Sequence, residues 1–281
     1  MRKFQWLTLL LCMVFLFCSC SAGTEGERSP SDGTAKVLLD LIPTNGGDAL
    51  LLRTAEQVIL IDTGYAETTD DVIDYLHSTD VSEIDVLLIT HFDKDHIGGV
   101  PGLLEAFSVK RIYQPVYEKT ETKAYTSYLT SLSQTDVLVT DVTEPLQWTA
   151  DECVFDVFPA QGSDYSEEDN DYSLVTRMQC GDVAFLFAGD AEADRINEML
   201  QSGTDWSADV LKYPHHGSYN KNSVKLIKAV DPAFVLIPDG GEKQASEKLL
   251  SYLAQRNCTV LKTSNGAVRL QCDGKTVQVL A

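Results

Sequence analysis

Thr90-His91-Phe92-Asp93-Lys94-Asp95-His96-Ile97-Gly98-Gly99 follows directly on the apolar run Val86 to Ile89. It therefore lies at the end of what the pattern predicts as a buried strand. Four of its residues, His91, Asp93, Asp95 and His96, are metal-ligand types packed into six positions. His91 and Asp93, two apart, can project to one side of an extended segment, and Asp95 and His96 then reach the other side of a small cation pair. Gly98 and Gly99 carry no side chain to block close backbone approach, and Val100 to Phe107 reads as a helix packed on the sheet. A polar loop with solvated acids is the plainer reading. The density of ligand types favours half of a metal site.

Two later stretches carry the same chemistry. Phe185 to Ala188 is an apolar strand ending in Gly189-Asp190, and a carboxylate at the mouth of such a strand must be paired or metal-bound to be tolerated. Asp190 also suits the N-cap of the helix that follows, and the two readings can coexist. Asp209 to Tyr213 is a strand followed by Pro214-His215-His216-Gly217-Ser218. The chain has five histidines, and four of them fall in these motifs. His77, in the predicted helix from Thr69, reads as a surface or packing residue.

The pattern His-x-Asp-x-Asp-His-x-Gly-Gly after a strand resembles the metal-binding signature of the metallo-β-lactamase superfamily. It is most similar to the variant in the hydrolase domain of ComEC-type DNA-uptake proteins, where the second histidine is an aspartate. Gly189-Asp190, Pro214 to Ser218 and the Asn170 to Val175 segment resemble further elements of those domains, in the same order. Periodicity alone says α/β; the resemblance implies an αββα sandwich with its site at one edge between the sheets.

Carried over by that resemblance, His91 and Asp93 hold a first metal, Asp95 and His96 help hold a second, and Asp190 bridges them. His216 is the favoured histidine to complete the second metal, with His215 positioning substrate or protonating a leaving group. Asp62 and Asn170 support the ligands from behind, and Lys94 and Lys212 stand near enough for a substrate phosphate. A metal pair lowers the pKa of bound water toward about 7 and stabilises charge on a phosphoryl or carbonyl oxygen, with Asp95 placed in the reacting set. The resemblance implies two zinc ions; the carboxylate-rich donor set leaves manganese or magnesium open. Two departures bear on occupancy. The usual middle-of-chain histidine has no counterpart in Asp164 to Asp171, and a late histidine is replaced by Gly240-Gly241-Glu242-Lys243-Gln244.

At the start, Arg2 and Lys3 precede an apolar stretch from Phe4 to Phe17 and then Cys18-Ser19-Cys20. This pattern predicts a signal peptide over residues 1–19, too short for a comfortable membrane span. Cys20 resembles the acceptor of a lipoprotein lipobox. Residues 20–34, rich in Gly, Ser, Thr and Glu, read as a flexible tether, and 35–281 as one hydrolase domain. The expected place is the extracytoplasmic face of a bacterial membrane, held through a lipid anchor.

The net charge is −20, and loss of a leader carrying Arg2 and Lys3 makes the remainder more acidic by two. Such a surface gives no strong grip on nucleic acid. Four cysteines lie beyond the leader, Cys153, Cys180, Cys258 and Cys272, without paired metal spacing. Cys258 and Cys272 flank Ser264-Asn265-Gly266, read as a hairpin turn, so a disulfide between them is open.

Strands are predicted at Lys36 to Leu41, Ala49 to Arg53, Gln57 to Asp62, Lys110 to Tyr113, Cys153 to Phe158, Ser173 to Cys180, Asp182 to Ala188, Ala208 to Tyr213 and Phe234 to Ile237. Helices are predicted from Thr69, over Thr122 to Leu132, after Asp190, and over Ser223 to Val230 and Ser246 to Ala254. The stripe Tyr125, Tyr128, Leu129 and Leu132 reads as core before substrate lid.

The substrate expectation is a phosphodiester, small or polymeric. A cell-wall phosphoester, a lactone or a β-lactam are alternatives, as is a non-catalytic, metal-poor binding lipoprotein, which would account for the missing histidines.

Overall fold

In the computed structural model, residues 35–166 and 168–280 are described; the leader, Cys20 and the tether to residue 34 lie outside them. Two sheets stack face to face. The first has eight strands in the spatial order Val277–Leu280, Val268–Cys272, Val37–Leu41, Leu50–Arg53, Val58–Ile61, Val86–Leu88, Arg111–Gln114 and Leu138–Asp141. The second has seven, in the order Thr259–Lys262, Phe234–Ile237, Val210–Lys212, Val183–Phe187, Val175–Cys180, Cys153–Phe158 and Leu146–Ala150.

Side-chain alternation along the strands builds the layers. Leu50 and Leu52 point into the inter-sheet core with Ile59, Ile61, Leu88, Phe155 and Phe187. Leu51, Leu60 and Leu87 point outward, beneath Val72, Leu76, Val100 and Leu103 of the helices Thr69–Ser78 and Val100–Ala106. On the far side Leu186, Leu211 and Val235 meet Ile196, Leu226 and Leu249 of the helices Ala193–Gln201, Ser223–Val230 and Glu247–Gln255. Strands buried on both faces read as continuous apolar runs, which is why Val86 to Ile89 and Phe185 to Ala188 look as they do. The result is an αββα sandwich.

Each sheet changes from antiparallel to parallel pairing partway across. The change falls at Val58–Ile61, which pairs parallel with Val86–Leu88, and at Val183–Phe187, which pairs parallel with Val210–Lys212. Parallel strands of one sheet share a carboxyl end, and open α/β sheets bind ligands outside those ends. Asp62, Thr90, Asp190 and the His215-His216 pair all lie just past such ends. The main-chain N–H of Leu174 donates to the Thr90 carbonyl at 2.9 Å and ties the two halves together there.

Several expectations are corrected. Ser264-Asn265-Gly266 is no hairpin turn: Thr259–Lys262 belongs to the second sheet and Val268–Cys272 to the first, so the turn crosses between layers. Cys258 and Cys272 are accordingly free, and the disulfide joins Cys153 to Cys180, in register on adjacent antiparallel strands. The closing hairpin is Val268–Cys272 with Val277–Leu280. Two strands, Leu138–Asp141 and Leu146–Ala150, were not expected, because their residues are largely half-exposed at sheet edges. In the helix Lys123–Ser133, Tyr128 is core as expected, but Leu129 is exposed.

Candidate metal centre

His96 and His216 are held by their Nδ1 atoms. His96 Nδ1 lies 2.8 Å from Asp62 Oδ2, and His216 Nδ1 lies 3.0 Å from the Pro238 carbonyl. A carbonyl only accepts, so Nδ1 of His216 carries the proton and Nε2 is the ring atom left to bind something else. Asp62 is fixed in turn, accepting the main-chain N–H of Thr90 at 2.8 Å and its hydroxyl at 2.6 Å. This is how metal-binding imidazoles are oriented: an acceptor behind one nitrogen aims the other.

Both Nε2 atoms point at the same place. His96 Nε2 is 3.1 Å from Asp190 Oδ2 and 3.6 Å from Asp95 Oδ2; His216 Nε2 is 3.0 Å and 3.1 Å from the same two oxygens. Four ligands at about 2.0–2.1 Å from a tetrahedral ion stand roughly 3.3 Å from each other, so these separations suit one small cation. Asp48, His96, Asp190 and His216 can also offer one atom each within 4.8 Å. Asp48, however, faces the Nδ1 edges, 3.9 Å from that of His96 and 3.5 Å from that of His216, and forms an ion pair with Lys212. The Nε2 side, with Asp95, is the better ligand set.

The electrostatics agree. Burial opposes charge on Asp190, yet His216, His96 and Lys212 hold its carboxyl well below the usual carboxylate range. Asp95 is likewise held low against burial, by His96, His216 and Lys243. His216 would be neutral by burial alone; Asp190 and Asp95 raise it to about 9. The cluster therefore calls for positive charge. Lys243 answers as a stand-in cation: its ammonium is bonded to Asp95 and lies 2.9 Å from His216 Nε2. It arrives from the turn 240–243 with a side chain 31% exposed, on a flexible stem that a divalent ion can displace.

Close backbone approach makes the convergence possible. Gly189 has φ +53°, and a Cβ there would stand 2.8 Å from Ser173 and 3.1 Å from Thr90. With that space kept clear, the Asp190 main-chain N–H reaches Ser173 Oγ at 3.0 Å.

His91 and Asp93 sit beside this point, with His91 Nε2 3.7 Å from Asp93 Oδ2. His91 Nε2 is buried without a hydrogen-bond partner. Asp93 is engaged by Lys119 at 2.6 Å, which also pairs with Asp169. His215 is 33% exposed; its main-chain N–H donates to Asp190 Oδ1 at 3.2 Å and its Nδ1 bonds Glu192. Glu192 is braced by the Asn220 side-chain amide at 2.8 Å.

Two supporting residues do not stand where the sequence suggests. Lys212 is 1% exposed, donates to the Gly189 carbonyl at 2.6 Å and pairs with Asp48 and Asp190, so it neutralises the cluster from behind and has no access to a substrate phosphate. Lys94, by contrast, is exposed and lies 5.9 Å from the Tyr65 ring centroid, the same distance from that ring as Lys243. Asn170 contributes its main-chain carbonyl to Ser173 N–H at 3.0 Å, while its neighbours Asp171 and Ser173 bind the Asp190 segment by their side chains. Asp48, Lys119, Glu192 and Lys243 escaped the sequence reading. The readable signal was Asp48, an acid two residues before the apolar strand Leu50–Arg53.

Residues 42–240 match the family described as the metallo-β-lactamase superfamily. The chain is 26% identical over 279 residues to ComE operon protein 3 of Bacillus subtilis, covering 92% of this chain and 34% of that protein. It is 24% identical over 249 residues to competence protein ComA of Neisseria gonorrhoeae, covering 86% and 33%. It thus spans about a third of the length of these curated relatives. Among solved structures, a mutant of the CmlA β-hydroxylase superposes with a TM-score of 0.54 at 15% identity, over 85% of this chain and 54% of that one; this likeness is one of fold. The family match runs from the loop before Asp48 to the turn carrying Lys243, across every strand end that meets at the cluster, and the chain belongs to the metallo-β-lactamase superfamily, as a ComEC-like member.

Proposed function

We propose that the protein is a metal-dependent hydrolase of phosphodiester bonds, working on the outer side of a bacterial membrane to which Cys20 anchors it. The observation that carries the metal part is the convergence of Asp95, Asp190 and two Nε2 atoms whose opposite ring edges are already held. A divalent ion bound there supplies a Lewis acid and a water with a pKa near about 7. Zinc is the ion proposed here, and the two carboxylates admit manganese or magnesium.

The chain's own residues complete the chemistry. Glu192 holds His215 by Nδ1, leaving Nε2 at a partly exposed position beside Asp190 to give a proton to the departing oxygen. Asp62 and the Pro238 carbonyl keep the two ligand rings from turning. Lys243, once displaced from Asp95, is the mobile cation nearest the ion and is suited to a non-bridging phosphoryl oxygen.

Charge selects among substrates. Lys212 is buried and spent on Asp48 and Asp190, Lys119 on Asp93 and Asp169, and Lys221 lies 3.5 Å from Asp194. No track of free cations leads from the site, among the described residues, to hold a long polyanion. A short phosphodiester is therefore favoured over duplex DNA, although one relative is named a competence protein. Hydrolysis of bis(p-nitrophenyl) phosphate should need added metal and fall at least a hundredfold in His216→Ala, with DNA cleavage weaker and suppressed by salt. Turnover of a lactone or β-lactam, with no phosphodiester cleaved, would reject the substrate class and keep the metal site.

A second reading has its own support. Lysines stand in both cation positions, as in a binding protein that keeps the fold and little metal. Metal bound at less than a tenth of an equivalent, with no hydrolysis, would select it.

A further inference from the structure

The two lysines at the centre are held very differently. Lys243 comes from a surface turn and is 31% exposed. Lys119 has a side chain only 4% exposed and is bonded to two carboxylates, Asp93 and Asp169. The segment carrying it is locked. Tyr117 stacks on Tyr172 with ring centroids 4.6 Å apart and on Phe92 at 5.0 Å, and its hydroxyl accepts the Phe92 main-chain N–H at 2.8 Å. Asp169 comes from the stretch 164–171, which contains no histidine. Here that stretch delivers a carboxylate to an ammonium instead.

We propose that Lys119 takes the place of one of the two metal ions, so that the protein holds a single divalent cation at Asp95, His96, Asp190 and His216. This rests on the metal-hydrolase reading above. At the other position the carboxylate donors are already occupied by the ammonium. Asp93 and Asp169 are both committed to Lys119, and entry of a divalent cation would have to expel a buried ammonium from the two carboxylates. His91 Nε2, buried and without a partner, then serves a water or a substrate oxygen in place of a metal. The chemical consequence is a mixed clamp, one ion and one fixed ammonium, where two ions would otherwise flank the reacting group.

Metal stoichiometry reads this without reference to activity. The full-length protein, solubilised in detergent and stripped by chelator, is titrated with Zn2+ and separately with Mn2+ by calorimetry, and bound metal is counted by elemental analysis. The wild type should bind one equivalent. His91→Ala should keep that equivalent with less than a threefold change in affinity, whereas His216→Ala should lose it. Lys119→Met, similar in length and uncharged, should gain a second, weaker equivalent that disappears again when His91→Ala is added. Two equivalents in the wild type, or an ion lost in His91→Ala, would overturn the proposal; so would a folded Lys119→Met that binds only one. Should Lys119→Met fail to fold, the wild type and His91→Ala decide the matter alone. No metal in the wild type but one equivalent in Lys119→Met would keep the role of Lys119 and reject the hydrolase reading; no metal in either would reject both.

Discussion

Asp171 carries a cost that its neighbours do not cancel. Its Oδ1 accepts the main-chain N–H groups of Glu192 at 2.9 Å and Arg195 at 3.0 Å, while Oδ2 is buried without a hydrogen-bond partner. Burial pushes its carboxyl up to about 6 against the pull of those two donors, with Asp194 and Glu192 adding to the rise. A folded value above the unfolded one means that the folded state binds the proton more tightly. Stability is then lost as pH rises from about 4 to about 6, and the full cost is present above that. Asp171→Asn keeps the accepting oxygen and removes the charge. It should be more stable than the parent by roughly 1–3 kcal/mol at pH 7.5 and about level with it near pH 4. Urea midpoints at the two pH values test this, and an equal gain at both would rule out the charge as its cause. At this scale the sequence revealed ligands where they are dense, as at His91 to His96, and hid those that stand alone. Asp48, Lys119 and Lys243, which support the cluster and are not its ligands, are single residues in loops, and only the folded chain brings them to it.

Two adjacent strands explain both a missed bond and a misread turn. Cys153 opens one strand and Cys180 closes the next, so antiparallel pairing sets them face to face. That was legible: both strands were expected, and consecutive strands joined by a modest loop usually pair. Ser264-Asn265-Gly266 has hairpin composition, but the strand before it lies parallel to Phe234–Ile237 in the other sheet. Local turn chemistry says where the chain bends, not which layer it enters next. The bond between Cys153 and Cys180 closes a separation of 27 residues, for which chain entropy gives about 3–4 kcal/mol. Urea unfolding in the presence of reductant should show an unfolding free energy lower by that amount, seen as a lower midpoint with a slope that does not decrease. Identical curves with and without reductant would mean that the bond is absent or contributes nothing.

For the whole molecule, composition, disulfide and the proposed leader bear on where it works. Disulfides persist in oxidising compartments, and an acidic chain with net charge −20 stays soluble there. No helix among the described residues is long and apolar enough to cross a membrane; the attachment proposed above is through Cys20. Expressed with its own leader, the protein should partition into the membrane fraction, and Cys20→Ser should shift at least nine-tenths of it to the soluble or secreted fraction. Equal membrane recovery of a leader-processed Cys20→Ser would defeat the lipid anchor. The αββα architecture was legible through a family signature, since alternation of strands and helices alone leaves the layering open. The ligands themselves are divided between the layers: Asp95 and His96 come from the first sheet's half, Asp190 and His216 from the second. Neither half owns the centre, so nothing can be captured until both have docked. A chain exported unfolded would cross empty and be furnished afterwards, its metal chosen by what the exterior supplies and not by the ion inventory of the cell that made it.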